Sequence, residues 1–284
     1  MKQKAPANLR AEALDTLRPS KRFGQHFLHD RNVISKIIRS FSPRADETVI
    51  EIGPGTGALT AELIERGANV IAIEFDRKLV PPLIARFGTQ TNFRLVEGDA
   101  LTTEICAEID PKASARIVAN LPYNISTAIL QRLIEQRRCI SEMVLMLQRE
   151  VVERMLASAG SSERGYLSVL VEAYCESDKL FDVSPRSFRP PPKVWSTVVK
   201  LIFRPHLVVD VSDEDLLWQV VSAGFAQKRK TMLNNLRNST GPLQQIVTNN
   251  GGASIVLCKA NVDLQRRAET LTLEEWGRIV NALK

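Results

Sequence analysis

The sequence predicts an α/β protein, a doubly wound parallel sheet followed by a small all-helical domain. Three observations predict it. Short β-branched runs alternate with stretches of helical period as far as about Arg204. A glycine-rich turn, Gly53-Pro54-Gly55-Thr56-Gly57, joins one such run to the helical stretch after it. From Ser212 onward only short helical patterns remain.

In chain order, residues 1–20 read as a polar, mixed-charge tail with Pro6 and Pro19, expected to be flexible. Residues 47–52 (Glu-Thr-Val-Ile-Glu-Ile) form a strand and residues 58–66 a helix, with the glycines at the turn between them. A second strand over 69–73 ends at Glu74, and a third precedes Glu97-Gly98-Asp99-Ala100-Leu101. The apolar strand 115–119 is followed by Asn120-Leu121-Pro122-Tyr123. Residues 143–147 read as a buried strand and 148–157 as a helix. Residues 167–175 and 194–203 read as late strands, a pair flanking Pro190-Pro191-Pro192. Helices are expected over 213–225, 230–236, 243–249 and 273–283, the last opened by Thr272 and Glu275 at capping-box spacing. The domain boundary falls near Arg204-Pro205, giving a catalytic domain over 21–204 and a helical one over 205–284. No internal repeat is visible.

The glycine turn occupies the cofactor corner of such a sheet. Glycines there accept positive φ and let a ligand approach without a Cβ in the way. A dinucleotide site reads G-x-G-x-x-G and aims a helix N-terminus at a pyrophosphate. This turn reads G-x-G-x-G through Gly53, Gly55 and Gly57, with Glu51 two residues ahead of the first glycine. A carboxylate there repels phosphate and attracts an ammonium group. S-adenosylmethionine carries an ammonium and a sulfonium and no phosphate. Glu74 stands where an acid accepts both hydroxyls of a ribose, and Asp99 where one accepts from an adenine amine. Each feature alone is common in proteins without this function; their order at successive strand ends is what carries the reading.

Asn120-Leu121-Pro122-Tyr123 falls at the carboxyl edge beside that cofactor. The exocyclic amine of adenine is a poor nucleophile because its lone pair is delocalised into the ring. Two fixed acceptors, the Asn120 side-chain oxygen and the Leu121 carbonyl, bind its two hydrogens and favour a pyramidal nitrogen. Pro122 stiffens the turn and Tyr123 offers a ring face to an extruded base. Methylation of adenine is the expectation.

Gly24-Gln25-His26-Phe27-Leu28 with Lys21-Arg22-Phe23 before it, the glycine turn, Glu97-Gly98-Asp99-Ala100, Asn120-Leu121-Pro122-Tyr123-Asn124-Ile125-Ser126 and Phe188-Arg189-Pro190-Pro191-Pro192-Lys193-Val194 together resemble the ribosomal RNA adenine N6-dimethyltransferase family, most closely its bacterial small-subunit branch. The resemblance runs from about Lys21 to the C-terminus. It implies a Rossmann-like class I S-adenosylmethionine-dependent methyltransferase sheet. It also implies transfer of methyl groups to N6 of two adjacent adenines near the 3′ end of 16S rRNA within an immature 30S particle. By the same resemblance His26 and Leu28 line the methionine side of the cofactor, Gly53 meets its carboxylate end, Glu74 holds ribose and Asp99 holds adenine. Asn120 binds the substrate amine and lies against the cofactor, and Tyr123 and Phe188 stack on the target base. Arg186, Arg189 and Lys193 border the base pocket, and Lys228, Arg229 and Lys230 form a basic cluster in the small domain; both sets are candidates for phosphate contact.

Composition agrees with this reading. A chain of 284 residues holds a medium domain and a small one. The net charge of +6 favours a polyanionic partner. Cys106, Cys139, Cys175 and Cys258 are scattered without metal spacing, so reduced thiols and no metal are expected. No apolar run reaches the length of a membrane span, and the N-terminus lacks a secretory core. A cytoplasmic monomer is expected. Three alternatives stay open: a large-subunit rRNA dimethyltransferase of the antibiotic-resistance type, a non-catalytic assembly or transcription factor, and a DNA adenine methyltransferase, although those typically carry Pro where Leu121 stands.

Overall fold

The computed structural model describes residues 19–20, 23–110 and 114–284. The expected tail, apart from Pro19 and Ser20, lies outside them, as do Lys21 and Arg22. In chain order come β1 (Phe27–Leu28), α1 (Arg31–Phe41), β2 (Thr48–Ile52), α2 (Ala58–Glu65), β3 (Asn69–Glu74), α3 (Val80–Phe87), β4 (Phe93–Glu97), β5 (Ala115–Asn120), α4 (Ser126–Glu135) and β6 (Ile140–Gln148). Then follow α5 (Arg149–Met155), α6 (Tyr166–Tyr174), β7 (Cys175–Val183), β8 (Phe188–Arg189) and β9 (Ser196–Phe203). The last helices are α7 (Glu214–Phe225), α8 (Met232–Arg237), α9 (Gly241–Asn249), α10 (Ala253–Lys259) and α11 (Leu273–Asn281).

Seven strands form one sheet in the order β4-β3-β2-β5-β6-β9-β7. From β4 to β6 neighbours run parallel, and β9 runs antiparallel to β6. Successive residues on the central strands, Val49 and Ile50 on β2, Ile117 and Val118 on β5, are all fully buried. Both faces of these strands are therefore covered, which is why their sequences are apolar runs without alternation. Against one face, Ile34, Ile37, Ile38 and Phe41 of α1 and Leu59 and Leu63 of α2 share a core with Val49, Val70, Val118, Val144 and Met146. Burying each such side chain contributes about 1.5–3 kcal/mol.

From β2 the chain steps to β3 and β4 on one side, then returns to β5 on the other. The carboxyl ends of β2 and β5 therefore border a crevice. A second, two-stranded sheet walls it. Phe27 of β1 lies opposite Arg189 of β8, and Leu28 opposite Phe188. Asp30 then caps α1, accepting from the backbone N–H of Asn32 at 3.0 Å and Val33 at 3.4 Å, while Ser187 Oγ donates to its other oxygen at 3.0 Å. Neither short strand is visible in the sequence, because two residues carry no period.

By contact density the chain divides into two units: the stretch ending at Val152 with Asp178–Phe203, and Glu153–Ser177 with Arg204–Lys284. An expected single break near Arg204-Pro205 thus leaves out Glu153–Ser177. The reason lies in α6, whose Tyr174 carbonyl accepts from Arg204 N–H at 2.8 Å and whose Tyr174 hydroxyl accepts from Trp218 Nε1 at 2.8 Å. Within this helical unit Trp276 is fully buried against Phe225, ring centroids 5.8 Å apart. The Thr272–Glu275 capping box forms, with Glu275 Oε2 accepting from Thr272 N–H at 2.9 Å.

Two expectations are corrected. Residues 167–174 are not a strand but part of helix α6, and the strand, β7, begins only at Cys175. Leu167, Ser168, Val169, Leu170, Val171, Ala173 and Tyr174 are all buried, so the helix lacks the polar face that would reveal its period. β7 escaped notice because it is an edge strand, marked by charged Glu176, Asp178, Lys179 and Asp182. The thiols are not all free either. Cys106 and Cys139 are bridged, with Cα atoms 5.5 Å apart, while Cys175 and Cys258 are unbridged. Their 33-residue separation hid the pairing, which depends on two 3-10 turns, Ile105–Ala107 and Arg137–Cys139, meeting through Gln136. Its Oε1 accepts from Ile105 N–H at 2.6 Å and its Nε2 donates to Thr103 O at 3.1 Å.

Gly57 precedes α2 at φ +76°, and a Cβ there would sit 2.4 Å from Phe87 Cε2. Gly57→Ala is expected to lower the unfolding free energy by about 2–4 kcal/mol, combining left-handed strain and overpacking. Urea denaturation reads this as a lower midpoint at unchanged slope; a midpoint equal to the parent's contradicts the packing described.

Candidate active site

A cavity of about 300 Å³ opens at the crevice. Four strand ends supply its walls: Glu51 to Thr56 at the end of β2, Glu74 to Asp76 at the end of β3, Gly98 to Leu101 after β4, and Asn120 to Ile125 at the end of β5. Residues 23–28 close one side. His26, Leu28, Glu51, Gly53, Gly55, Glu74, Asp99, Asn120, Leu121, Pro122 and Tyr123 all line it, so the residues expected to share a site do converge.

The glycine turn is built by positive φ at Gly53 (+67°), Gly55 (+57°) and Gly57 (+76°). A Cβ on Gly53 would meet nothing within 4 Å, so the backbone there faces open space, whereas one on Gly55 would lie 3.1 Å from the Phe27 ring. Glu74 is buried and braced: Oε1 accepts from Asp76 N–H at 2.7 Å and Oε2 from Gly55 N–H at 3.4 Å. Glu51 is buried with Oε2 accepting from Thr60 Oγ1 at 2.5 Å. Asp99 Oδ1 accepts from Leu101 N–H at 2.9 Å.

Asn120 closes the arrangement. Its Nδ2 donates to the His26 carbonyl at 3.0 Å, which commits the amide nitrogen and leaves Oδ1 as the acceptor. Leu121 N–H donates to Met146 O at 3.1 Å, holding the turn to β6. Tyr123 shares a 2.6 Å hydroxyl bond with Ser196 Oγ, and its ring stacks on His26 at 5.4 Å and 27°. His26 Nδ1 bonds the Pro190 carbonyl at 2.7 Å. Burial pushes the Tyr123 phenol above its usual range, so the hydroxyl stays protonated and available to Ser196.

Two expected site residues are placed differently. Phe188 is 1% exposed and lies in the core with α1, not on the cavity. Pairing with Leu28 turns Phe188 inward and its neighbour Arg189 outward. Gly57 lies off the cavity and packs on Phe87, so its requirement is structural. Arg186, Arg189 and Lys193 are exposed, and Lys228, Arg229 and Lys230 are exposed in the loop between α7 and α8 of the helical unit. Sequence reasoning missed Gln25, whose Nε2 donates to Asp76 Oδ2 at 2.9 Å, and Phe75, 55% exposed with its ring edge-on to Phe23 at 5.3 Å. The partnership of Ser196 with Tyr123 had no signal, since 73 residues separate them. Among the described residues no group of three or more His, Cys, Asp and Glu is arranged to hold a metal, and no helix is long and apolar enough to cross a membrane.

Residues 17–278 match the family model described as ribosomal RNA adenine dimethylase. A ribosomal RNA small subunit methyltransferase A from Hahella chejuensis is 40% identical over 261 residues, spanning 92% of this chain and 91% of that relative. The protein of the same name from Pseudomonas savastanoi pv. phaseolicola is 44% identical over 266 residues, 94% of this chain and 95% of that one. Among solved structures, a dimethyladenosine transferase from Plasmodium falciparum superposes with a TM-score of 0.72 at 28% identity, covering 89% of this chain and 96% of that one. The 23S rRNA methyltransferase ErmE gives 0.65 at 25% identity, covering 90% and 99%.

The cavity is acidic. Glu51, Glu74, Asp76 and Asp99 line it, and no Lys or Arg is among the described residues that do. Desolvation raises both Glu51 and Glu74 to about 7, and the negative charge of Glu74 adds to the shift on Glu51. Such a cavity disfavours a phosphate and favours a cation that restores charge balance. Between the ordinary carboxyl value of 4.5 and about 7, only the folded protein keeps the proton on Glu51, so stability falls as pH rises through that window and levels off above it. Glu51→Gln keeps an acceptor for Thr60 without the charge. It is expected to stabilise the empty protein at pH 8 by roughly 3 kcal/mol and by less than about 1 kcal/mol at pH 5. Urea denaturation at the two pH values checks this; an equal effect at both would contradict the buried-charge account.

Proposed function

We propose a substrate and a mechanism from the premise that the chain belongs to the ribosomal RNA adenine dimethylase family. It transfers methyl groups to N6 of adenine in small-subunit rRNA, taking them from S-adenosylmethionine, and acts on the immature 30S particle as a cytoplasmic monomer. Relatives at 40–44% identity named for the small subunit support that target over the large-subunit alternative, whose solved representative is 25% identical.

The donor set fits a cationic nucleoside. Glu74 accepts from ribose hydroxyls, Asp99 from the adenine amine, and Glu51 balances an ammonium group, with the Gly53 backbone open to the amino-acid end. S-adenosylmethionine, when bound, would supply an electrophilic methyl carbon on a sulfonium whose sulfur leaves as a neutral thioether. The rest is done by the chain. Asn120 Oδ1 and the Leu121 carbonyl accept the two hydrogens of the target amine and orient its lone pair. Tyr123, locked by Ser196 and backed by His26, presents a ring on which the extruded base stacks. No side chain needs a tuned pKa at the reacting nitrogen, because the methylated amine is a cation that sheds its proton readily.

The observation that carries this reading is the hydrogen bond from Asn120 Nδ2 to the His26 carbonyl, which orients the amide as an acceptor within the acidic cavity. Asn120→Ala is expected to lower methyl transfer by on the order of 10² to 10³ while donor binding persists. Transfer of tritium from labelled donor to immature small subunits, with donor affinity measured in parallel, tests this. Unchanged transfer removes Asn120 from the mechanism, and label found only in DNA removes the substrate.

A further inference from the structure

The chain has three tryptophans. Trp276 is fully buried, and Trp218 donates its Nε1–H to Tyr174. Trp195 is 45% exposed, beside Val194 at 42%. An indole held at the surface offers a large, rigid ring face on which a planar group can stack. The backbone beneath Trp195 is held firmly. Its carbonyl accepts from Arg149 N–H at 2.9 Å, and the next residue, Ser196, is fully buried and bonds the Tyr123 hydroxyl at 2.6 Å. One peptide unit therefore separates the exposed indole from the group that locks the clamp tyrosine.

The segment leading to Trp195 is cationic and anchored to the cavity wall. Arg189 is paired with Phe27, and the Pro190 carbonyl bonds His26 Nδ1 at 2.7 Å. Arg186, Arg189 and Lys193 are exposed. An exposed ring within a few residues of exposed cations is a pattern that suits single-stranded nucleic acid, the ring taking a base and the cations its phosphates.

Moving one adenine out of its stack into a pocket strips its neighbour of a stacking partner. We infer that Trp195 is a stacking platform for the unpaired nucleotide next to the adenine that enters the cavity, with Arg189 and Lys193 on the joining phosphates. This inference rests on the RNA-substrate reading of the same site. Trp195 does not touch the reacting atoms; it positions the strand, so its loss acts on RNA affinity rather than on the chemical step.

The test uses the full chain and a short single-stranded RNA containing two adjacent adenines, with and without the base on the flanking nucleotide, at fixed salt. Fluorescence anisotropy is expected to show about tenfold weaker binding for Trp195→Ala and near-parental binding for Trp195→Phe. The RNA lacking the flanking base is expected to bind the parent as weakly as intact RNA binds Trp195→Ala, with no further loss when both changes combine. Unchanged affinity in Trp195→Ala, or losses that simply add, overturns the inference. So does self-association of the parent that disappears in Trp195→Ala while RNA affinity stays the same, since the patch then serves a second copy. Methyl transfer by the parent to small-subunit particles is measured separately. Its absence alongside a coupled RNA cycle defeats the proposed reaction and leaves Trp195 standing, and the reverse outcome defeats Trp195 alone.

Discussion

The hydrogen bond between the Asn120 amide and the His26 carbonyl joins the two halves of the site. Asn120 ends β5 in the middle of the sheet, while His26 belongs to a segment that precedes the sheet entirely. That segment is held in turn by β1 pairing with β8, by Asp30 receiving Ser187, and by Gln25 reaching Asp76. Each contact spans 51 or more residues, so none is encoded by a local sequence pattern. A clamp that must hold an amine rigidly is thus oriented by a backbone carbonyl, a group that does not rotate independently of its chain.

The same cavity concentrates carboxylates where solvent is thin. Glu51 and Glu74 are held near 7 by desolvation, and the Thr60 hydroxyl and the Asp76 and Gly55 amides recover only part of the cost. Empty, the site carries unfavourable burial of carboxylates, which a bound cation with hydroxyl and amine donors would offset in part. Stability is given up where binding regains it, a common trade at functional sites. The absence of Lys and Arg from the described lining residues separates this cavity from a phosphate-binding corner of the same topology.

Legibility in the sequence followed the range of the interaction. Glu51, Gly53, Gly55, Glu74, Asp99 and Asn120 were readable because each sits at a strand end, and in a parallel sheet all strand ends of one sense meet at one edge. Phe188 misled because its motif is next to the site in space, yet strand alternation turns its ring into the core. Gly57 misled in the opposite way: the turn does need it, but for Phe87. Helix α6 reads as a strand because a nearly buried helix loses its polar face, and strand β7 goes unread because a charged edge strand loses its apolar one.

The amino-acid sequence by itself determined the doubly wound sheet, the glycine turn, the acidic character of the cavity and the amide of the clamp, since each rests on residue type and short-range period. Tertiary structure alone decided which amide atom of Asn120 accepts, that Tyr123 is locked by Ser196, that Cys106 meets Cys139, and that Trp195 stays exposed beside the clamp. The first three depend on groups 33 or more residues apart reaching contact distance, and the fourth on what the rest of the fold leaves uncovered; no local propensity encodes either.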